Sequence, residues 1–359
     1  MRRDPVVKSR ASRVSIWGPK RPMREATDVV RESDVCLDRL KAFQPIVLES
    51  VPAIRNSFTE YGRSYYALAA LSRRKTLSDE IREHAMSRLF ALRAQLEQRM
   101  LESLKFSASY VDIVAYAART TFFGRSIKQG VSIRYPLASC VPTKLCGGRC
   151  YAHDGRDRDL QRLFRGVLNW YLGDHYEHGD GSARRAVMAS LSKAIDEAIN
   201  AARSESKTSA HQGFERSPRI RFSHVGEMAA TPQFANALAY EIGQRAPDVR
   251  CIVYTRHPSA HLFDPQLLIV NFTVDGHGDS RISFKPKRAR LVSSSWDGKL
   301  LEGAEINFIE HHVEKSATPS GSGQSCPVTL NHDVTPSCDS ARCEKCFVPP
   351  VNRGLPSDG

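Results

Sequence analysis

Between residues 76 and 100, apolar side chains recur every three or four positions, at Ile81, Ala85, Leu89, Leu92, Leu96 and Met100. This spacing predicts an amphipathic helix of roughly six turns, with Thr76 as N-cap and Asp79 three residues on. Residues 112–118 keep the helical character, so 31–128 reads as a helical extension, a packing or partner element. Past Gly130 the period changes. Residues 131–135 alternate like a short strand that ends at Pro136. Val187, Leu191, Ile195 and Ile199 then mark a helix over about 185–203.

A second strand is predicted at 219–224, after which Thr231 and Pro232 provide an N-cap and a first helical residue for an apolar face of Phe234, Leu238 and Ile242. Further strands fall at 250–255, 267–274, 290–294 and 305–309. Strands separated by helices of this length imply right-handed crossovers and a mainly parallel sheet. The predicted class is α/β, a partial (β/α) barrel or an open parallel sheet, with an N-terminal helical extension and a C-terminal Cys-rich segment. The expected division is a basic disordered tail at 1–30, the extension at 31–128, an α/β core at 129–315, a linker at 316–325, a Cys-rich metal-binding segment at 326–350 and a disordered tail at 351–359.

At 359 residues and 41% apolar, the chain can bury a large core without disulfide staples. No run approaches the ~20 apolar residues of a membrane span, so the expectation is a cytoplasmic protein without membrane association. A formal net charge of +13 makes nucleic acid a candidate partner through the basic surface. Eight of those basic residues sit in the first 25, against Asp4 and Glu25. The run Arg281, Lys285, Lys287, Arg288 and Arg290 reads as a solvated face. The pattern leaves the oligomeric state open.

Seven of the nine cysteines fall into two short segments, Cys140-x5-Cys146-x3-Cys150 and Cys326-x11-Cys338-x4-Cys343-x2-Cys346. In a reducing compartment such clusters read as metal ligands. Three thiolates supply all but one ligand of a tetrahedral zinc, or the protein ligands of an iron-sulfur cube with one open iron. Spacing leaves iron-sulfur and zinc both open. The four terminal cysteines form a site of their own, or one returns to complete the first cluster. Cys251 lies in an apolar strand and reads as a core residue; Cys36 has no evident partner.

Chemistry in sheets of this kind gathers at the carboxyl ends of strands. That rule collects the cysteine triad, His224-x-Gly226-Glu227, Tyr254-Thr255-Arg256-His257 and Asp275-Gly276 at one mouth. The plainer reading of Glu227 is a cap for the helix near Thr231 or a partner for an arginine. No pattern singles out a catalytic residue.

These residues resemble the phage-associated gene product 88 domain family over about 131–347. The likeness rests on the Cys140/Cys146/Cys150-Tyr151-Ala152 loop, Arg221-x2-His224-x-Gly226-Glu227, Tyr254-Thr255-Arg256 and Cys343-x2-Cys346-Phe347. More distantly the order is similar to that of radical S-adenosylmethionine enzymes. In that group three cluster cysteines follow the first strand, a Gly-Gly-Glu type segment the second, and often a Ser-x-Asp-Gly type segment the fourth. Val225-Gly226-Glu227 and Thr273-Val274-Asp275-Gly276 stand in the matching places.

The resemblance implies a 4Fe-4S cluster and S-adenosylmethionine, with Glu227 beside Gly226 taking the methionyl amine and Asp275 the ribose or carboxylate. The usual Cys-x3-Cys-x2-Cys spacing is replaced here by x5 and x3. The resulting expectation is an iron-sulfur cluster-binding protein of undefined reaction and substrate. Its alternative is a zinc-stabilised nucleic-acid-binding protein without catalysis.

Overall fold

The computed structural model describes residues 26–45, 50–72, 76–107, 109–120, 122–126, 130–142, 160–211, 217–223, 225–275, 281, 283, 285–295, 301, 304, 306–309 and 324–325. The first described elements are helices: α1 Ala26–Lys41, α2 Val51–Ser57, α3 Thr59–Leu71, α4 Asp79–Ser107 and α5 Tyr110–Arg119. In α4 the predicted stripe is buried from Ala85 to Met100, while Ile81 is 38% exposed. The capping residue is Ser78 rather than Thr76. Its hydroxyl accepts from Ile81 N at 3.4 Å and its carbonyl from Arg82 N at 3.2 Å, closing the first turn two residues later than the pattern suggests.

Eight strands follow, β1 Phe123–Ser126, β2 Gly130–Ile133, β3 Arg219–Phe222, β4 Arg250–Thr255, β5 Ile269–Val274, β6 Arg290–Ser295, β7 Ile306–Ile309 and β8 Gln324–Ser325. They form one sheet in sequential order. β1 is antiparallel to β2, and every later neighbour pair is parallel. The chain is thus mixed α/β with a mostly parallel sheet. Among the described residues no helix is long and apolar enough to cross a membrane.

Among the described residues α6 Leu160–His178 and α7 Gly181–His211 lie between β2 and β3, and α8 Pro232–Arg245 joins β3 to β4. Between β4 and β5 the link is a 3-10 turn, Pro258–Leu262. The two predicted crossover helices are therefore present, and the β4–β5 link has only this turn among the described residues. Val187, Leu191, Ile195 and Ile199 are buried as predicted. Their helix starts earlier than residue 185 because Asp180 Oδ1 caps it, accepting from Ser182 N at 2.9 Å and Ala183 N at 2.8 Å.

At α8 the Thr231 side chain makes no cap. The Glu177 carboxylate from α6 takes that place, accepting from Gln233 N and Phe234 N, while the Thr231 hydroxyl bonds Tyr135 OH at 2.9 Å.

Alternation along the strands sorts the sheet into two faces. Ile133, Ile220, Phe222, Val253, Phe272 and Leu291 join one continuous apolar cluster with α6, α7, α8 and the helices of the extension. The extension therefore shares its core with the sheet. Cys251 belongs to that cluster, with its thiol pushed up to about 12 by burial. Cys36 has a partner after all, its sulfur lying 2.9 Å from Ser64 Oγ.

Candidate cofactor mouth at the strand ends

Four segments leave the carboxyl edge of β2 to β5 side by side, and hydrogen bonds knit the first two together. Tyr135 N donates to Val225 O at 2.7 Å. The chain then turns through a 3-10 helix, Leu137–Ser139, into Cys140. Ser139 Oγ donates to Pro136 O at 2.7 Å and accepts from Glu227 N at 2.8 Å. One hydroxyl, on the residue before the first cysteine, thus bridges Pro136 and the residue that follows Gly226. Cys140 is half-buried and packs against Leu137, Val225 and Phe90.

Gly226 has φ 74°, the left-handed region that favours glycine. A Cβ there would stand 2.4 Å from Pro136 O and 2.5 Å from both the carbonyl carbon and the oxygen of Tyr135. The glycine is required twice, by conformation and by close approach. A neighbouring residue, Ser223, also takes positive φ, at 62°, and its hydroxyl accepts from Met228 N at 2.7 Å.

Glu227 is 8% exposed. Its Oε1 accepts from Arg256 N at 3.2 Å, and its Oε2 has no hydrogen-bond partner among the described residues. Burial pushes the carboxyl up to about 7, against the opposing pull of the Thr255 hydroxyl, the Arg256 amide and the Arg256 and Arg221 charges. It makes no side-chain cap on the turn it precedes. Beyond it, Asp275 is gripped by Arg256 Nη1 on one oxygen, with Arg281 Nη2 at 3.5 Å from the other.

Helix α4 reaches the same place from outside the sheet. Arg93 and Glu97 are 1% and 0% exposed and bonded Nε to Oε1 at 2.8 Å, with the Glu97 charge holding the guanidinium charged. Glu97 Oε2 accepts from Ala138 N at 3.1 Å, two residues before Cys140. The helical extension therefore grips the turn that leads into Cys140.

Of the predicted site residues, Cys140, Gly226, Glu227 and Asp275 are brought together at this edge. Cys146, Cys150, Cys326, Cys338, Cys343, Cys346, His224 and Gly276 lie outside the described residues. Within the described residues no three His, Cys, Asp or Glu side chains converge. His257 acts locally, its Nδ1 accepting from Ser259 N at 3.1 Å while burial lowers its pKa.

Two members of the basic run are not on a solvated face. Arg290 is 5% exposed with Nη1 donating to Asn271 Oδ1 at 3.1 Å, and Arg281 reaches Asp275. Strand alternation in β6 turns Arg290 onto the sheet face away from the helices. Ser139, Arg93 and Glu97 were missed from sequence. The i, i+4 ion pair inside the apolar stripe of α4 was the available signal.

The chain matches no family model, and no curated protein or solved structure is detectably similar to it.

Proposed function

We propose that this chain is an iron-sulfur protein of the gene product 88 type, laid out like radical S-adenosylmethionine enzymes. In this reading Cys140, Cys146 and Cys150 ligate a 4Fe-4S cluster at the carboxyl edge of a sheet curled as a partial barrel. The observation that carries it is Glu227, a buried carboxylate with one oxygen open, tied through the Ser139 hydroxyl to the residue before Cys140. A buried carboxylate oxygen without a donor calls for a cationic or proton-bearing group. Burial on both faces, with Ile252, Asn271 and Val292 at 0% away from the helices, supports the curl.

The donor set suits the group: three thiolates would leave one iron open, and a reduced cluster held there would supply one electron to a bound sulfonium. The chain's own residues do the holding. Arg256 N fixes Glu227 Oε1 and leaves Oε2 for an amine, Gly226 lets the Tyr135–Pro136 segment lie against the turn after β3, and Asp275, oriented by Arg256 and Arg281, keeps lone pairs for a ribose. The substrate is undefined. The zinc-stabilised nucleic-acid-binding reading draws on the net charge of +13.

Equilibrium dialysis of the anaerobically purified, iron-loaded chain against S-adenosylmethionine tests the proposal. Binding that weakens at least about tenfold in Glu227→Gln is expected from the loss of a charge-assisted bond. An iron-loaded chain that does not bind overturns the cofactor assignment. Stoichiometric zinc without sulfide overturns the cluster itself and leaves the nucleic-acid reading.

A further inference from the structure

The face of the sheet turned away from the helices sets arginines among its buried apolar residues Ile252 and Val292. Strand alternation and register place Arg219 and Arg221 of β3, Arg250 of β4 and Arg290 of β6 on it, with Tyr254 and Asn271 between them. Arg219 is 1% exposed. Guanidinium groups do not give up their proton to escape burial, so the charge stays on this face. Arg219, Arg250 and Arg290 each have partners of their own, so the recognition argument rests on Arg221.

Arg221 is half-buried and differs from its neighbours in how it is held. Its guanidinium lies over the Tyr254 ring, 4.7 Å from the centroid, and its buried Nε has no hydrogen-bond partner among the described residues. Stacking fixes the plane of the fork at little entropic cost while leaving its edge to a ligand. The open Glu227 oxygen at the end of the same strand is an independent sign that the mouth is built around a polar ligand.

We propose that this arginine face binds a small oxyanion, a phosphate or a carboxylate, with Arg221 as its recognition group. Two parallel N–H donors from a stacked guanidinium match either oxyanion. Glu227 stands beside the anion as a repelling neighbour when ionised. The site depends on the sheet and its arginines, so it stands whether or not the cysteines hold a metal.

Isothermal titration of the full-length chain with inorganic pyrophosphate and, separately, with citrate tests this, in low-chloride buffer without S-adenosylmethionine. Saturable binding is expected for at least one probe; pyrophosphate alone assigns a phosphoryl ligand, citrate alone a carboxylate. Arg221→Met should weaken it at least about tenfold, the usual scale for a lost hydrogen bond to a charged group. Glu227→Gln should tighten it. Arg203→Met, which removes an exposed pair with Asp248, should leave it unchanged.

If Arg221→Met fails to fold by circular dichroism, Arg221→Lys keeps the charge, loses the planar fork, and should still weaken binding several-fold. No binding of either probe overturns the proposal. So does affinity that survives the Arg221 substitution, which would put the anion elsewhere on the basic surface.

Discussion

Gly226→Ala perturbs the candidate site at one atom, and its cost follows from the geometry. Alanine at φ 74° occupies a left-handed conformation that costs an L-residue about 1–2 kcal/mol. The new methyl would also lie 2.4–2.5 Å from backbone atoms of Tyr135 and Pro136. No side chain can swing aside there, so the loop leading to Cys140 must move. Overpacking of that kind costs roughly 1–3 kcal/mol. It also strains the Tyr135 N to Val225 O and Glu227 N to Ser139 Oγ bonds, together placing the loss at about 3–5 kcal/mol.

Gly243→Ala is the internal control, because an added Cβ in the last turn of α8 meets nothing within 4 Å. That change should stabilise by up to about 0.5 kcal/mol through helix propensity, less than in a helix interior. Urea unfolding of both variants in one buffer reads the contrast, with midpoints moving in opposite directions. A Gly226→Ala protein within about 1 kcal/mol of the parent would refute the close-approach argument.

Glu227 makes stability fall with rising pH. Its folded-state pKa of about 7 lies above the ordinary 4.5, so between those values the folded chain holds a proton that the unfolded chain has lost. The contribution is complete below pH 4.5 and is lost by the time pH passes about 7, a change of about 3 kcal/mol. Urea unfolding of metal-free protein across that window should show the slope in the parent and its loss in Glu227→Gln; parallel curves would contradict it. Glu97→Gln leaves the Arg93 charge buried and should cost about 3–5 kcal/mol, with faster hydrogen exchange at the Ala138 amide. Adding Arg93→Met should recover part of that loss, and strictly additive costs would mean the two side chains do not act as a pair.

What the sequence discloses and what it conceals follow from which interactions are local. The stripes at Leu89 to Met100 and Val187 to Ile199 were legible because helix periodicity and burial coincide. The strand at 250–255 was legible from its run of β-branched and aromatic residues. Helix α6 escaped, although Leu163, Phe164, Val167, Leu168, Tyr171 and Leu172 are spaced for it. Its glycines lower helix propensity, and Gly173 is there because Tyr135 OH would lie 2.1 Å from any Cβ, a contact 38 positions away in the chain. Strand-end adjacency of Cys140, Glu227 and Asp275 could be inferred from topology. The Glu97 bond to Ala138 N could not, since it joins residues 41 apart through a pair that local rules place on the surface.

The most direct test of the central claim is the metal content of the anaerobically purified chain, read beside its visible absorption spectrum. The account predicts iron and acid-labile sulfide in near-equal amounts with a broad charge-transfer band, both lost in Cys146→Ala. A colourless protein with stoichiometric zinc and no sulfide, or a spectrum that Cys146→Ala leaves unchanged, would contradict it.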